Sequence, residues 1–303
     1  MSQTPPPSPA DGVEVTPALL RGWPLPQPGG GKESRGRTLI VGGSAETPGA
    51  VLLAAEAALR SGAGKLQVAT AASVAPALSV AVPEALVRGL EETPAGAVAA
   101  SSAVERIADL AGEADSVLVG PGLADPPEAG RLLRLLLPHV SCPLVVDALA
   151  LAAVREDVTC LAPLAGRVVL TPNQQELAIT LHRDEEDHEA DEWLRDAALE
   201  LAARSGAVVS VGGVTSYVAA PDGRVWVDRS GGAGLGVSGS GDVRAGLVAG
   251  LVARGADVAQ AAVWAAHVHG RAGERLASQI GRLGFLAREL LPTVPPVVAE
   301  IEQ

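Results

Sequence analysis

From Arg37 onward the chain alternates short β-branched or apolar runs with longer Ala/Leu-rich stretches. Arg37–Val41 is the first such run, and it stops at Gly42-Gly43-Ser44. Pro48 suits the first turn of a helix, which the pattern carries to about Arg60 and closes at Gly62 and Gly64. Strand-like runs recur at Lys65–Ala69, Ser116–Val119, Leu144–Val146, Val168–Leu170 and Val208–Val211, with helical segments between most of them. Runs so short and apolar suit strands covered on both faces, so the pattern predicts a mostly parallel sheet between helical layers. Ser216–Ala220 and Arg224–Val227, joined by Pro221-Asp222-Gly223, read as a hairpin. Further helices are predicted over about Gly241–Ala253, Val258–Ala277 and Phe285–Leu290. No internal repeat interrupts this order.

Residues 1–31 break the pattern. They are rich in Pro, Gly and Ser, with a weak helical patch at Val15–Arg21, and are expected to form an arm with little structure of its own. Residues 32–303 are expected to form one domain. Gly29-Gly30-Gly31-Lys32 superficially resembles a phosphate loop, but Pro26 stands where the first Gly belongs and Glu33 follows the Lys. A linker is the better reading. The acidic stretch Asp184–Glu192 lacks ligand spacing and reads as a solvated helix start and loop.

Composition narrows the class. Hydrophobic residues make up 48% of the 303 but aromatics only 2%, so the core must be built from Ala, Val and Leu, which suits a layered α/β body. The formal charge is −12 (23 Lys+Arg against 35 Asp+Glu), which argues against nucleic acid as the main partner. An anionic small substrate remains compatible, because a local pocket can oppose the global charge. Cys142 and Cys160 have neither metal-site nor disulfide-framework spacing and read as small buried residues. Neither a basic-then-apolar leader nor a membrane-length apolar span is expected, and cytoplasmic location follows by default.

Candidate chemistry gathers at strand ends, where open parallel sheets bind ligands. Gly42-Gly43-Ser44, Gly120-Pro121-Gly122, Thr171-Pro172-Asn173, Gly212-Gly213 and the Gly231–Gly241 loop all fall there. The last is the most informative, since it runs from a strand into an apolar helix whose free N–H groups can hold an anion. Asp242, in the first turn of that helix, reads equally as a helix-start residue or as a base beside a phosphate cradle. Gly234–Gly239 has dinucleotide-fingerprint spacing, but it lies near the chain's end with no acidic strand after it, so a Rossmann dehydrogenase is rejected. His267 and His269, two apart on a helix, face different ways and cannot chelate one ion; packing and a surface position are expected. Asp147 and Glu176 stay open between turn or helix-start roles and ligand contact.

The landmarks together resemble the NAD(P)H-hydrate dehydratase family of the ribokinase-like superfamily, over about Arg37 to Pro292. They are Gly42-Gly43-Ser44 with Pro48-Gly49-Ala50, Leu59-Arg60-Ser61-Gly62-Ala63-Gly64, Pro83-Glu84 and Gly120-Pro121-Gly122-Leu123. Val146-Asp147-Ala148, Thr171-Pro172 with Glu176-Leu177, Gly239-Ser240-Gly241-Asp242, Ala261–Gly270 and Gly284–Ala287 complete them. The resemblance implies a ribokinase-like three-layer α/β/α fold. It implies repair of hydrated NADH or NADPH, the (6S) hydrate, with ADP (ATP in some relatives) consumed to AMP and phosphate and Mg²⁺ as cofactor. Asp242 would be the base. Ala50, Gly122 and Asn173 would line the hydrated-nucleotide site, and Gly212, Gly213, Val214, Thr215, Ser216, Gly239, Ser240 and Gly241 the adenine-nucleotide site. No ligand for the metal is implied.

A homo-oligomer is also implied, a tetramer as in relatives, with no nucleic acid and no membrane involved. The epimerase domain often fused ahead of this one is expected to be absent. Relatives usually carry His where Asn173 stands, Lys where Gly212 stands and Asp where Leu149 stands; the loop shows Gly232-Ala233 in place of Asn-Pro, and Val237 in place of a small hydroxyl residue. Two alternatives stay open. One is a vitamin-precursor or sugar kinase of the same superfamily, the other a nucleotide-binding protein without turnover.

Overall fold

The computed structural model describes residues 12–27, 29–183 and 191–303. Among them one sheet holds β1 (Val13–Glu14), β2 (Arg37–Val41), β3 (Lys65–Ala71), β4 (Ala85–Leu90) and β5 (Ser116–Val119). It continues with β6 (Leu144–Val146), β7 (Val168–Leu170), β8 (Val208–Val211), β9 (Ser216–Ala219) and β10 (Val225–Asp228). The spatial order is β1-β10-β9-β8-β7-β6-β5-β2-β3-β4. β9 runs antiparallel to both neighbours, and the other pairings are parallel.

The helices begin with α1 (Pro17–Gly22), α2 (Pro48–Arg60), α3 (Ala75–Ala81), α4 (Ala100–Glu113), α5 (Pro126–Leu136) and α6 (Ala152–Glu156). α7 (Gln174–Thr180), α8 (Asp191–Ser205), α9 (Ser240–Ala253), α10 (Val258–Gln279), α11 (Ala287–Leu290) and α12 (Val294–Glu302) follow. Because successive strand residues face opposite sides, the sheet feeds two cores. Leu39, Val41, Val117, Val119, Leu144, Val146, Val168 and Leu170 pack with α4 to α8. Ile40, Leu118, Val145 and Val169 pack with α2, α9, α10 and α12. The expected three-layer α/β/α fold with a mostly parallel sheet is the observed one. Cys142 is buried and Cys160 half-buried against the first core; both are free thiols.

The second helical layer positions the chemistry. α9 is buried almost throughout, and it lies on α2 so closely that a Cβ at Gly246 or Gly250 would overlap the Ala54 or Ala58 carbonyl oxygen. Glycine at these positions sets the depth of α9, and therefore where its N-terminus emerges above the strand ends. Ser116 Oγ donates to Ala249 O at 2.9 Å and ties the helix to β5 at the sheet's centre.

In the described part of the N-terminal arm α1 falls on the expected helical patch, but the segment is anchored more firmly than expected. β1 pairs with β10, Val15 N donates to Val227 O, and Leu20 and Leu25 are buried in the second core. Trp264 Nε1 and Gln260 Nε2 both donate to Trp23 O at 3.0 Å, and the Trp23 ring stacks on Trp226. Pro and Gly spacing hid these anchors, because each is a single apolar or aromatic residue whose partner lies more than 200 positions away. Residues 1–11 of the expected arm lie outside the described residues, as does most of the acidic stretch, 184–190. β4 was also hidden: Arg88 and Gly89 interrupt its apolar run, and it is an edge strand with a half-exposed face.

Candidate active site

α9 starts at a turn that only glycine fits. Gly239 has φ 89°, and a Cβ there would stand 2.5 Å from Leu53 Cδ1 of α2. Gly239 has no side chain with which to cap α9, so the first-turn amides are left for an anion, at the positive end of the helix dipole. The Asp242 carboxylate turns back toward this cradle, its Oδ2 3.9 Å from the position of that Cβ. Burial, aided by the negative charge of Glu176, pushes the Asp242 carboxyl up to about 6.

Two further carboxylates face the same space. Asn173 and Glu176 form a reciprocal capping box at the start of α7, Glu176 Oε2 accepting from Asn173 N and Asn173 Oδ1 from Glu176 N, both at 2.8 Å. Burial raises the Glu176 carboxyl as well. Asp147, at the end of β6, accepts from Thr171 Oγ1 at 2.7 Å and is raised well above the ordinary carboxylate range by burial, then by Glu176 and Asp242. The next residue, Ala148, is held at φ 49°, a left-handed conformation uncommon outside glycine. Asp147 and Glu176, left open by the sequence, thus serve the local turns and also face the site.

Opposite them lies Arg244, buried in α9, with Nη2 donating to Ser210 O at 2.8 Å. Burial lowers its pKa, while Asp147 and Glu176 act the other way. From α10, His269 Nε2 stands 2.9 Å from Ser240 Oγ, and burial with the Arg244 charge drops its imidazole to about 3. The expected surface position for a histidine of this pair is therefore corrected: both are buried, because α10 packs against the Ser230–Leu235 loop. His267 instead meets Asp228, at 2.7 Å, and Asp228 accepts from Ser230 Oγ at 2.6 Å. The two imidazoles have separate partners and share no site.

A cavity of about 840 Å³ joins these groups. Of the expected residues, Asn173, Asp242, Gly212, Gly213, Val214, Ser216, Gly239, Ser240 and Gly241 lie on its wall. Thr215 is behind that wall, buried, its hydroxyl accepting from Arg229 Nη1 at 3.5 Å. Ala50 and Gly122 lie together away from the cavity wall, where a Cβ on Gly122 would come 2.9 Å from Ala50 Cβ; Thr47 Oγ1 donates to Gly122 O at 2.8 Å. The Gly231–Val237 approach is seated on α10, since a Cβ at Gly270 would overlap Ser230 Oγ and Leu235 covers Gly273. Sequence reasoning missed Arg244, whose signal is the one basic residue in a largely apolar helix, and Arg282, which comes from a short connection before α11.

Among the described residues no group of three or more His, Cys, Asp or Glu side chains is arranged to hold a metal ion, and no helix is long and apolar enough to cross a membrane. The cradle and carboxylates fit a divalent ion carried mainly by phosphate oxygens and water.

Residues 38–296 match the sequence profile of the NAD(P)H-hydrate dehydratase family. The chain belongs to that family. It is 50% identical to an ADP-dependent (S)-NAD(P)H-hydrate dehydratase of Xanthomonas campestris, over 94% of this chain and 95% of the relative. A bifunctional NAD(P)H-hydrate repair enzyme of Moorella thermoacetica is 37% identical over 92% of the chain, which spans about half of that longer protein (52%). The crystal structure of the ADP/ATP-dependent NAD(P)H-hydrate dehydratase of Bacillus subtilis, co-crystallised with ATP and Mg²⁺, superposes with a TM-score of 0.81 at 26% identity. It covers 97% of this dehydratase-family chain and all of that one.

Proposed function

We propose that this chain is an ADP-dependent dehydratase that restores hydrated NADH or NADPH, with Asp242 as base. The observation that carries the reading is a raised carboxylate set beside an open helix N-terminus in one cavity. Hydroxide is a poor leaving group. In the proposed reaction Asp242 takes the proton of the hydrate's hydroxyl, whose oxygen attacks the β-phosphorus of ADP and releases AMP. The Gly239–Gly241 amides hold the transferring phosphoryl group as its charge develops. The ring nitrogen's lone pair then expels phosphate, and the neighbouring carbon loses a proton to re-form the ring double bond. The products are the reduced nicotinamide nucleotide, AMP and phosphate.

Ala50, Gly122 and Asn173 are assigned to the hydrated nucleotide, and Gly212–Ser216 with Gly239–Gly241 to the adenine nucleotide. Mg²⁺ would screen the phosphates, held chiefly by their oxygens and water, with Asp147, Glu176 and Asp242 the carboxylates on the cavity wall. Assembly as a homo-oligomer and cytoplasmic residence belong to the same proposal, checked by light scattering and by cell fractionation. The central test incubates purified protein with hydrated NADH and ADP and follows the reduced-nicotinamide absorbance. Recovery with AMP and phosphate from ADP supports the reading, ADP formed from ATP with a lasting phosphorylated product and no recovery points to a kinase, and no recovery with either nucleotide overturns it.

A further inference from the structure

The cavity that must take a nucleotide's phosphates is walled by three carboxylates, Asp147, Glu176 and Asp242. Their ionised forms repel an anionic ligand at close range and with little screening. Two cations share the wall: Arg282, exposed, and Arg244, only 7% exposed. Arg244 projects from α9 one turn after the Gly239–Gly241 cradle, two residues after Asp242. Its guanidinium is steered by two carbonyl oxygens from neighbouring strand ends, Ser210 O at 2.8 Å and Pro172 O at 3.5 Å, both on Nη2.

What lets the guanidinium reach that place is the absence of a side chain at Gly212. A Cβ on Gly212 would overlap Arg244 Nη1 and crowd its Cζ at 3.2 Å. Gly212 has no positive φ to require glycine, so the close approach of Arg244 is its physical reason for lacking a side chain here. The two positions, 32 residues apart in sequence, form one device: an empty position on the β8–β9 connection and a cation that fills it. A guanidinium carries five donors, and the two carbonyl contacts use one nitrogen.

We propose that Arg244, admitted by Gly212, is the fixed cation that faces the adenine nucleotide's phosphates in this cavity. This rests on the proposed nucleotide site but adds a residue that neither the sequence pattern nor the family resemblance assigned. A purely structural role, tying α9 to the ends of β7 and β8, is the competing reading, and the two differ in what they do to ligands without phosphate.

The test is a binding titration of the full chain with ADP and, separately, with adenosine. Arg244→Gln is expected to weaken ADP about 10- to 100-fold, the size of a lost charge-assisted hydrogen bond, and to leave adenosine within about 2-fold. Gly212→Ala, which removes no charge, is expected to weaken ADP by about 3- to 10-fold by displacing the guanidinium, and to cost nothing further in the Arg244→Gln background. Equal weakening of ADP and adenosine, unchanged ADP affinity, or a Gly212→Ala penalty that persists without Arg244 would each overturn the inference. If Arg244→Gln does not fold, Gly212→Ala with the two ligands decides alone. Turnover of hydrated NADH by the unaltered chain is measured beside it. An Arg244-dependent ADP site without turnover sinks the dehydratase reading and not this one, and turnover with an Arg244-independent site does the reverse.

Discussion

His269 Nε2 lies 2.9 Å from Ser240 Oγ, so an imidazole from α10 holds the first residue of the helix that presents the phosphate cradle. Burial and the Arg244 charge keep that ring neutral, with its pKa down at about 3. It therefore acts as a hydrogen-bonding partner throughout the assayable range and not as the titrating base. Its loss leaves a buried hydroxyl with no partner, a cost of about 1–3 kcal/mol. His269→Ala is expected to lower kcat/KM about 10-fold while the acid limb of the pH profile stays where it was. Loss of that limb in the variant would make His269 the titrating group.

With Asp242 as the proposed base, the acid limb is expected to be its titration. A base must be ionised, and this carboxyl is pushed up to about 6 by burial and then by Glu176. Activity is expected to fall as pH drops through about 6. Removing the Glu176 charge while keeping its hydrogen-bonding shape, as Glu176→Gln, makes Asp242 easier to ionise, and Gln is accepted at that capping-box position. The limb then moves to lower pH. It should remain above that of a free aspartate, because burial is the larger cause. A limb that stays still in Glu176→Gln would remove the electrostatic link.

The same shift makes a statement about stability. A carboxyl whose folded pKa is raised binds its proton more tightly when folded. Its contribution is fully present below the unfolded value, 3.8, and is lost as pH rises through about 6. At pH 7.5 the ionised Asp242 thus destabilises the fold, and Asp242→Asn removes that cost. The variant is expected to lose activity at least about 100-fold, yet to gain about 1–2 kcal/mol, or about 1.5–3 °C in Tm. The gain should shrink toward zero at pH 4. Calorimetric melting at both pH values separates this from a general packing change, which would persist in acid.

The sheet and the cradle were legible in the sequence because their signals are local. Four-residue apolar runs and the Gly239-Ser240-Gly241-Asp242 turn each need only their own neighbours to be recognised. Asp147, Arg244 and His269 were not legible as one site, since their meaning comes from three elements meeting above the strand ends. Arg244 illustrates the gap: as text it is the one basic residue in a largely apolar helix, and only the empty position at Gly212 shows where the charge goes. The arm's anchoring was missed for the opposite reason. Its composition spoke for little structure beyond a weak helical patch, while its anchors are few, single and distant.

Those anchors give the arm a measurable share of stability. Leu20 and Leu25 are buried in the core that also holds α2, α9, α10 and α12, and Arg21 Nη1 reaches Ile301 O at 3.4 Å. Truncating a fully buried leucine leaves a cavity as well as losing transfer energy, a sum of about 2–5 kcal/mol. Leu20→Ala is therefore expected to lower the unfolding free energy by that amount, read as a lower denaturant midpoint at unchanged m-value. Leu19, part-exposed on the same helix, should cost less when changed to Ala, because more of its surface already meets water. Were the arm only a loose tail, both changes would be silent in the melt. A large, Leu20-specific loss with normal ADP binding places the arm in the fold and outside the site.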